Sequence, residues 1–210
     1  MVHGTVIQAV YHFFSCRHSI GKYVIHDNND ENLMLKFSHD GDVSAFDVLY
    51  ERHKAPLFRY ILKQTRHNHA VTEELFQEVW SNLIRAREQY QPSARFSTYL
   101  FQIARNRMID HVRRVSTRPV NDPETGHEDI ASPDNHGPDR HAHTADCIEQ
   151  LQTHVSRLPN EQHETFILKH EGEHTLGHIA EITGVTLETA KSRLRYAMKK
   201  LRELMPEECL

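Results

Sequence analysis

At 210 residues the chain can hold one or two small domains, each able to bury its own core, and its net charge of −4 argues against a protein that grips DNA unaided. Cys16, Cys147 and Cys209 are widely spaced and form no CxxC pair, a pattern expected of a reducing compartment and not of a disulfide framework or a cysteine zinc site. No apolar run is long enough to span a membrane, and the first thirty residues lack the basic start and apolar core of a secretion signal. No membrane insertion and a cytoplasmic location are therefore expected.

Residues 1–29 follow no clear pattern; residues 11–14 and 23–25 read either as short strands or as segments collapsed on the body. Asp42 and Ser44 then signal the start of an amphipathic helix carrying Ala45, Phe46, Leu49 and Tyr50. Pro56 is expected to kink or break it before residues 57–65. The clearest helix covers residues 70–86. Val71, Leu75, Phe76, Val79, Trp80, Leu83 and Ile84 make one apolar stripe, while Glu74, Gln77, Glu78 and Ser81 face outward. A third helix runs from about residue 96 to 114, beginning near Ser93 or Ser97. Leu100, Ile103 and Ala104 form its inner face, and Arg105, Arg107, Arg113 and Arg114 crowd its far half.

Residues 117–146 hold four of the eight prolines, seven acids against two arginines, and no hydrophobic periodicity. That is the composition of a flexible acidic linker, which splits the chain into helical regions at 30–116 and 147–210. No strand pattern competes after residue 30, so the expected fold class is all-α, with two small helical domains.

Residues 175–202 read as two short helices and a tight turn. Leu176, Ile179, Ala180 and Ile182 point the first helix at a core, Gly184 permits the turn, and Thr186 can cap the second helix. In that helix Leu194, Ala197, Met198, Leu201 and Leu204 recur at helical spacing, while Lys191, Arg195, Lys199 and Arg202 line another face. A helix packed on one side and cationic on the other suits the DNA major groove, as in a helix-turn-helix. Residues 186–202 carry six Lys/Arg against one Glu, and residues 95–114 carry five Arg against one Asp. Two basic surfaces separated by an acidic strap suggest DNA contact at two places within a larger assembly.

Taken in order, these segments resemble the extracytoplasmic-function (ECF) sigma factors of bacterial RNA polymerase. The resemblance covers about residues 30–205 and rests on DENLM at 30–34, Gly41-Asp42 with Ala45-Phe46, TEELFQEVW at 72–80, FSTYLFQIARN at 96–106, Leu158-Pro159, FIL at 166–168 and AKSRL at 190–194. It implies a specificity subunit rather than an enzyme, with core RNA polymerase (β′ and β subunits) and promoter DNA as partners. It also admits an anti-sigma factor, and it implies no cofactor.

Residue by residue, the resemblance puts Leu187, Glu188, Thr189, Lys191, Ser192, Arg193, Arg195 and Lys199 on the −35 element. Arg95, Phe96, Tyr99, Arg105, Asn106, Arg107, Arg113 and Arg114 fall on the −10 element, with the loop 89–95 lining a pocket for a flipped base. Aromatics that stack on exposed bases, beside cations that hold the separated strand, are what melting requires. Phe96, Tyr99 and Phe101, close to Arg95, Arg105, Asn106 and Arg107, meet that requirement, with core packing the alternative for the aromatics. Glu73, Glu74, Gln77 and Glu78 match the face that docks on a basic coiled coil of β′, where acidic residues give register and fast encounter. Three departures stand out: Tyr99 where the family usually has Trp, His163 where Arg is common, and Glu188 where a small residue is frequent. Residues 1–29 have no family counterpart.

Two other classes compete with this reading. A free-standing helix-turn-helix regulator needs neither a docking helix nor a melting segment. A histidine-rich metal protein is suggested by eighteen histidines, including His67/His69, His141/His143 and His170/His174/His178, yet no Cys or second acid completes a tetrahedral set, and no metal site is assigned.

Overall fold

A computed structural model describes residues 29–116, 140–172, 174–206 and 209. The expectations for residues 1–28, for residues 117–139 of the linker, and for the side chains of His141 and His143 lie outside the described residues. Within them the chain is all-α, as expected. The elements are α1 (Asp30–Asp40), α2 (Val43–Gln64), α3 (His69–Arg85), a 3-10 turn (Arg87–Gln89), α4 (Phe96–Ser116), α5 (Arg140–Ser156), α6 (Asn160–Glu171), α7 (Leu176–Thr183) and α8 (Leu187–Leu204).

Local chemistry sets most of the boundaries. Asn29, Asp42, Asn68, Thr175 and Thr186 cap α1, α2, α3, α7 and α8, each accepting hydrogen bonds from backbone amides of the first turn. Helix α4 starts differently. Its first amide, on Phe96, donates to Glu31 Oε1 at 2.8 Å, so a side chain from α1 holds an end that carries no local cap.

The N-terminal core is built from α1–α4. Leu49, Leu57, Tyr60, Ile61, Val79, Leu83, Phe96 and Leu100 are wholly buried, and Phe46, Tyr50, Phe76 and Trp80 pack ring against ring. Helix α2 is continuous through Pro56, so of the kink or break expected there the break does not occur. Losing one backbone hydrogen bond is tolerated because Leu49 before the proline and Leu57, Tyr60 and Ile61 after it bury in the same core.

Three further expectations are corrected. Helix α5 begins at Arg140, inside the stretch read as linker, just after its last proline at position 138. On α8 the buried residues are Ala190, Ala197 and Leu201, whereas Met198 and Leu204 are 39% and 44% exposed. Cys147 and Cys209 form a disulfide, with Cα atoms 5.6 Å apart across a sequence separation of 62. Sequence spacing hid the pair, because α5 and the turn after α8 meet only in three dimensions.

Candidate nucleic-acid interface

Helices α7 and α8 form the expected helix-turn-helix. Gly184 takes φ +68° and its amide returns to the carbonyls of Ala180 and Glu181, closing α7, while Thr186 restarts the chain as α8. Lys191, Arg195, Lys199 and Arg202 are exposed and recur at helical spacing on the side opposite Ala190, Ala197 and Leu201. Leu187 is exposed at the start of α8. Glu188 is exposed too, pairing with Lys191 at 2.8 Å and accepting from Ser192 Oγ through its carbonyl at 2.6 Å. Two named residues sit apart from this row. Thr189 is half-buried and its hydroxyl bonds Thr186 at 2.9 Å, completing the cap; Arg193 is half-buried toward the packed side.

The second candidate surface is the loop before α4 together with α4 itself. Arg95 is exposed and lines a cleft of about 970 Å³ with Ser93, Ser97, Arg52 and Arg59. Asp30 also lines that cleft. Burial works to raise its pKa, but hydrogen bonds from His53 and Arg52 outweigh that and hold the carboxyl below its ordinary value. Phe96 is 0% exposed, ringed by His53 and Tyr90, so it supports the loop from beneath rather than offering a face to a base. Tyr99 is half-buried against Tyr90, whose phenol burial keeps protonated, its pKa pushed up to about 12. Tyr99, Asn106 and Arg113 lie seven residues apart and so share one side of α4. Arg107 pairs with Asp110 at 2.9 Å, and Arg114 approaches Glu78 at 3.5 Å.

On α3, Glu73, Glu74 and Gln77 are exposed as expected, while Glu78 is half-buried beside Arg114. Three of the four proposed docking residues therefore form an open acidic and polar patch.

Arg105 is the residue whose surroundings the sequence disguised. It faces the C-terminal helices, its Nε 2.9 Å from Glu164 Oε1 on α6. Glu164 also accepts from Tyr60 at 3.4 Å, and the phenol stays protonated because burial pushes its pKa well up. Nearby, Arg59 and Lys63 on α2 both bind Glu171 at the end of α6, at 2.8 and 2.5 Å. Between these pairs His174 inserts from the α6–α7 connection, 2% exposed, its ring edge-on to Phe101 with centroids 4.6 Å apart. Burial lowers its pKa to about 4, assisted by His178 and His53, so it is neutral at pH 7. Gly172 makes room for it: a Cβ there would collide with the imidazole. Nothing in the spacing of Glu164, Glu171 and His174 announces this seam. Among the described residues no group of three metal-ligating side chains converges.

Residues 49–118 match the Sigma-70 region 2 family and residues 155–203 match Sigma-70, region 4. The chain is 31% identical over 171 residues to RNA polymerase sigma factor CarQ of Myxococcus xanthus, covering 80% of this chain and 93% of CarQ. It is 31% identical over 180 residues to ECF RNA polymerase sigma factor RpoE of Cereibacter sphaeroides, covering 82% and 93%. The fold superposes with a TM-score of 0.62 on CnrH in complex with the cytosolic domain of CnrY, at 18% identity over 84% of this chain and 97% of that one. It gives the same TM-score on the sigma factor RpoE in complex with the anti-sigma factor NepR from Bartonella quintana, at 20% identity over 76% and 95%. With both sigma regions present in order and relatives at this identity spanning most of its length, the chain belongs to the ECF RNA polymerase sigma factors, non-enzymatic proteins of promoter-specific transcription initiation.

Proposed function

We propose that this sigma factor reads a two-part promoter in the cytoplasm, with residues 147–210 on the −35 element and residues 30–116 on the −10 element, while α3 holds core polymerase. The observation that carries the reading is the one-sided cationic row of α8, exposed opposite a buried apolar face behind a tight helix-turn-helix turn. Leu187, Glu188, Lys191, Ser192, Arg195 and Lys199 then face bases and phosphates. On the other region, Tyr99, Asn106 and Arg113 with Arg95 and Arg107 serve the melted strand, and Phe96 supports their loop. An anti-sigma factor joins the partners of this reading by analogy with the Bartonella RpoE–NepR complex.

The test is transcription by core polymerase with and without the chain, mapping which promoters begin to fire. A chain that binds operators equally well without polymerase would be a free-standing regulator instead. Arg195→Glu is expected to abolish holoenzyme binding to duplex promoter while sparing a single-stranded −10 oligonucleotide; equal loss on both would refute the division of labour. Lys191→Ala, if it removes a phosphate contact, should lower the salt slope of binding by about one unit. For docking, Glu74→Arg with Gln77→Ala should weaken co-purification with core enzyme at unchanged helix content, and unchanged co-purification would exclude that face.

The closed arrangement of the two regions has a consequence within this reading. Elements some 25 base pairs apart lie roughly 85 Å apart at 3.4 Å per pair. Regions joined by contacts of 2.5–2.9 Å cannot read both at once. Promoter engagement therefore requires the α2/α4–α6/α7 seam to open, freeing Arg105.

A further inference from the structure

The disulfide stands where little else holds the chain. Cys147 lies in the first half of α5 and Cys209 just beyond the end of α8, where its amide donates to the Pro206 carbonyl at 2.9 Å. Of the described side chains of α5 before Val155, all but Cys147 and His154 are exposed, Ile148 by 52%. Among the described side chains of that half-helix none is buried, and a helical piece so short is marginal in water on its own. The bond ties it to the far end of the recognition helix and closes one ring around α6, α7 and α8. Both cysteines are only half-buried, so small solutes reach them.

A partner of RNA polymerase works where thiols are kept reduced, and disulfides in such compartments are mostly transient or sensing ones. We propose that Cys147 and Cys209 form a reversible thiol–disulfide pair, closed by an oxidant of the hydroperoxide class, whose closure clamps α5 to the end of α8 and reinforces the −35-reading domain. This rests on the initiation reading above.

The chemistry balances without a cofactor. One thiolate attacks the peroxide, the O–O bond breaks, and a sulfenic acid forms with release of an alcohol or water. The second thiol then displaces water from the sulfenic sulfur, forming the S–S bond. Two thiols and one hydroperoxide thus give one disulfide, one alcohol (or water) and one water, with two electrons passing from sulfur to oxygen. Reduced glutathione or a dithiol reverses the bond by exchange. When it is open, the first half of α5 frays and lengthens the tether between the two regions.

The full-length chain, reduced and then exposed to one equivalent of hydrogen peroxide, is alkylated and mapped by peptide mass spectrometry. The expected result is a linked Cys147–Cys209 peptide pair with Cys16 still alkylated, reversed by millimolar reduced glutathione. The oxidised chain should melt roughly 10 °C above the reduced one, as closing a long loop implies. Cys147→Ser and, separately, Cys209→Ser should melt like the reduced chain and ignore peroxide. Three outcomes would overturn the proposal: free alkylation of all three cysteines after peroxide, pairing through Cys16, or a bond that survives millimolar reduced glutathione, which would make it a fixed staple. Failure of the initiation reading would show separately, as no run-off transcript with core polymerase in either redox state while the alkylation pattern stands.

Discussion

Reversing the charge of Glu164 and Glu171 together, as Glu164→Lys with Glu171→Lys, should open the two regions in the free chain. Glu164 holds Arg105 and accepts from Tyr60, and Glu171 holds both Arg59 and Lys63. The carboxylates are about 15% and 17% exposed, whereas their cationic partners range from 25% to 52%. These pairs are thus neither surface bridges, worth under about 1 kcal/mol, nor fully desolvated ones whose breakage costs about 3–5 kcal/mol. At roughly 1–2 kcal/mol each, with repulsion added by the new lysines, the ratio of open to closed chains should rise on the order of 100-fold. Small-angle scattering should record a radius of gyration larger by about 5 Å or more. Affinity of the isolated chain for promoter duplex should rise too, since Arg105 is no longer engaged. An unchanged scattering profile would mean that apolar packing around Phe101 and His174, rather than charge, holds the seam.

Acidification from pH 7 to pH 5 should loosen the same seam. His174 and His163 are neutral in the fold, each with its pKa lowered to about 4, chiefly by burial; His178 and His53 add to the effect on His174, and Arg66 and Lys63 to that on His163. Once released to water each histidine titrates near its ordinary 6.5. Between those values the opened chain binds more protons than the closed one, so stability is fully present above about pH 6.5 and falls as pH drops toward 4. At pH 5 the loss is roughly 2 kcal/mol for His174 and less for the more exposed His163. His67 and His170 shift in the same direction. The depressed carboxylates, Asp30 and Glu171, begin to lose their contribution only as pH falls below their ordinary values of 3.8 and 4.5, beneath the pH 7 to 5 window. The melting temperature should therefore fall by several degrees between pH 7 and pH 5. His174→Leu, which keeps an apolar plug against Phe101 without a titrating ring, should remove about half of that slope. A slope unaltered by His174→Leu would assign the effect elsewhere.

The helix-turn-helix was legible almost residue by residue because its signals are local. Thr175, Gly184 and Thr186 act on amides and carbonyls within a few residues, and the burial of Ile179 and Ile182 follows from helical period. The same holds for α3, whose apolar stripe and open acidic patch come from one amphipathic repeat. Met198 and Leu204 are more exposed than their helical spacing predicts, for a related reason. Periodicity tells which side of a helix is apolar, not how far along that side the neighbouring helices reach.

The all-α class, the cationic face of α8 and the family to which the chain belongs were all readable along the chain. Each of these lies in a periodicity, a cap or a motif carried by adjacent residues. Which of those residues stand exposed and which are paired or buried came only from packing between distant segments. Arg105 reads as one more cation in a melting segment until Glu164, 59 residues away, is seen beside it. Glu171 meets Arg59 across 112 residues, Cys147 meets Cys209 across 62, and Pro56 is tolerated because both halves of α2 share one core. Phe96, placed among exposed aromatics by its motif, is sealed inside by Tyr90 and His53. Such outcomes depend on burial and charge pairing between distant segments, which no local pattern encodes, because a side chain's solvent is settled only when the rest of the chain has packed around it.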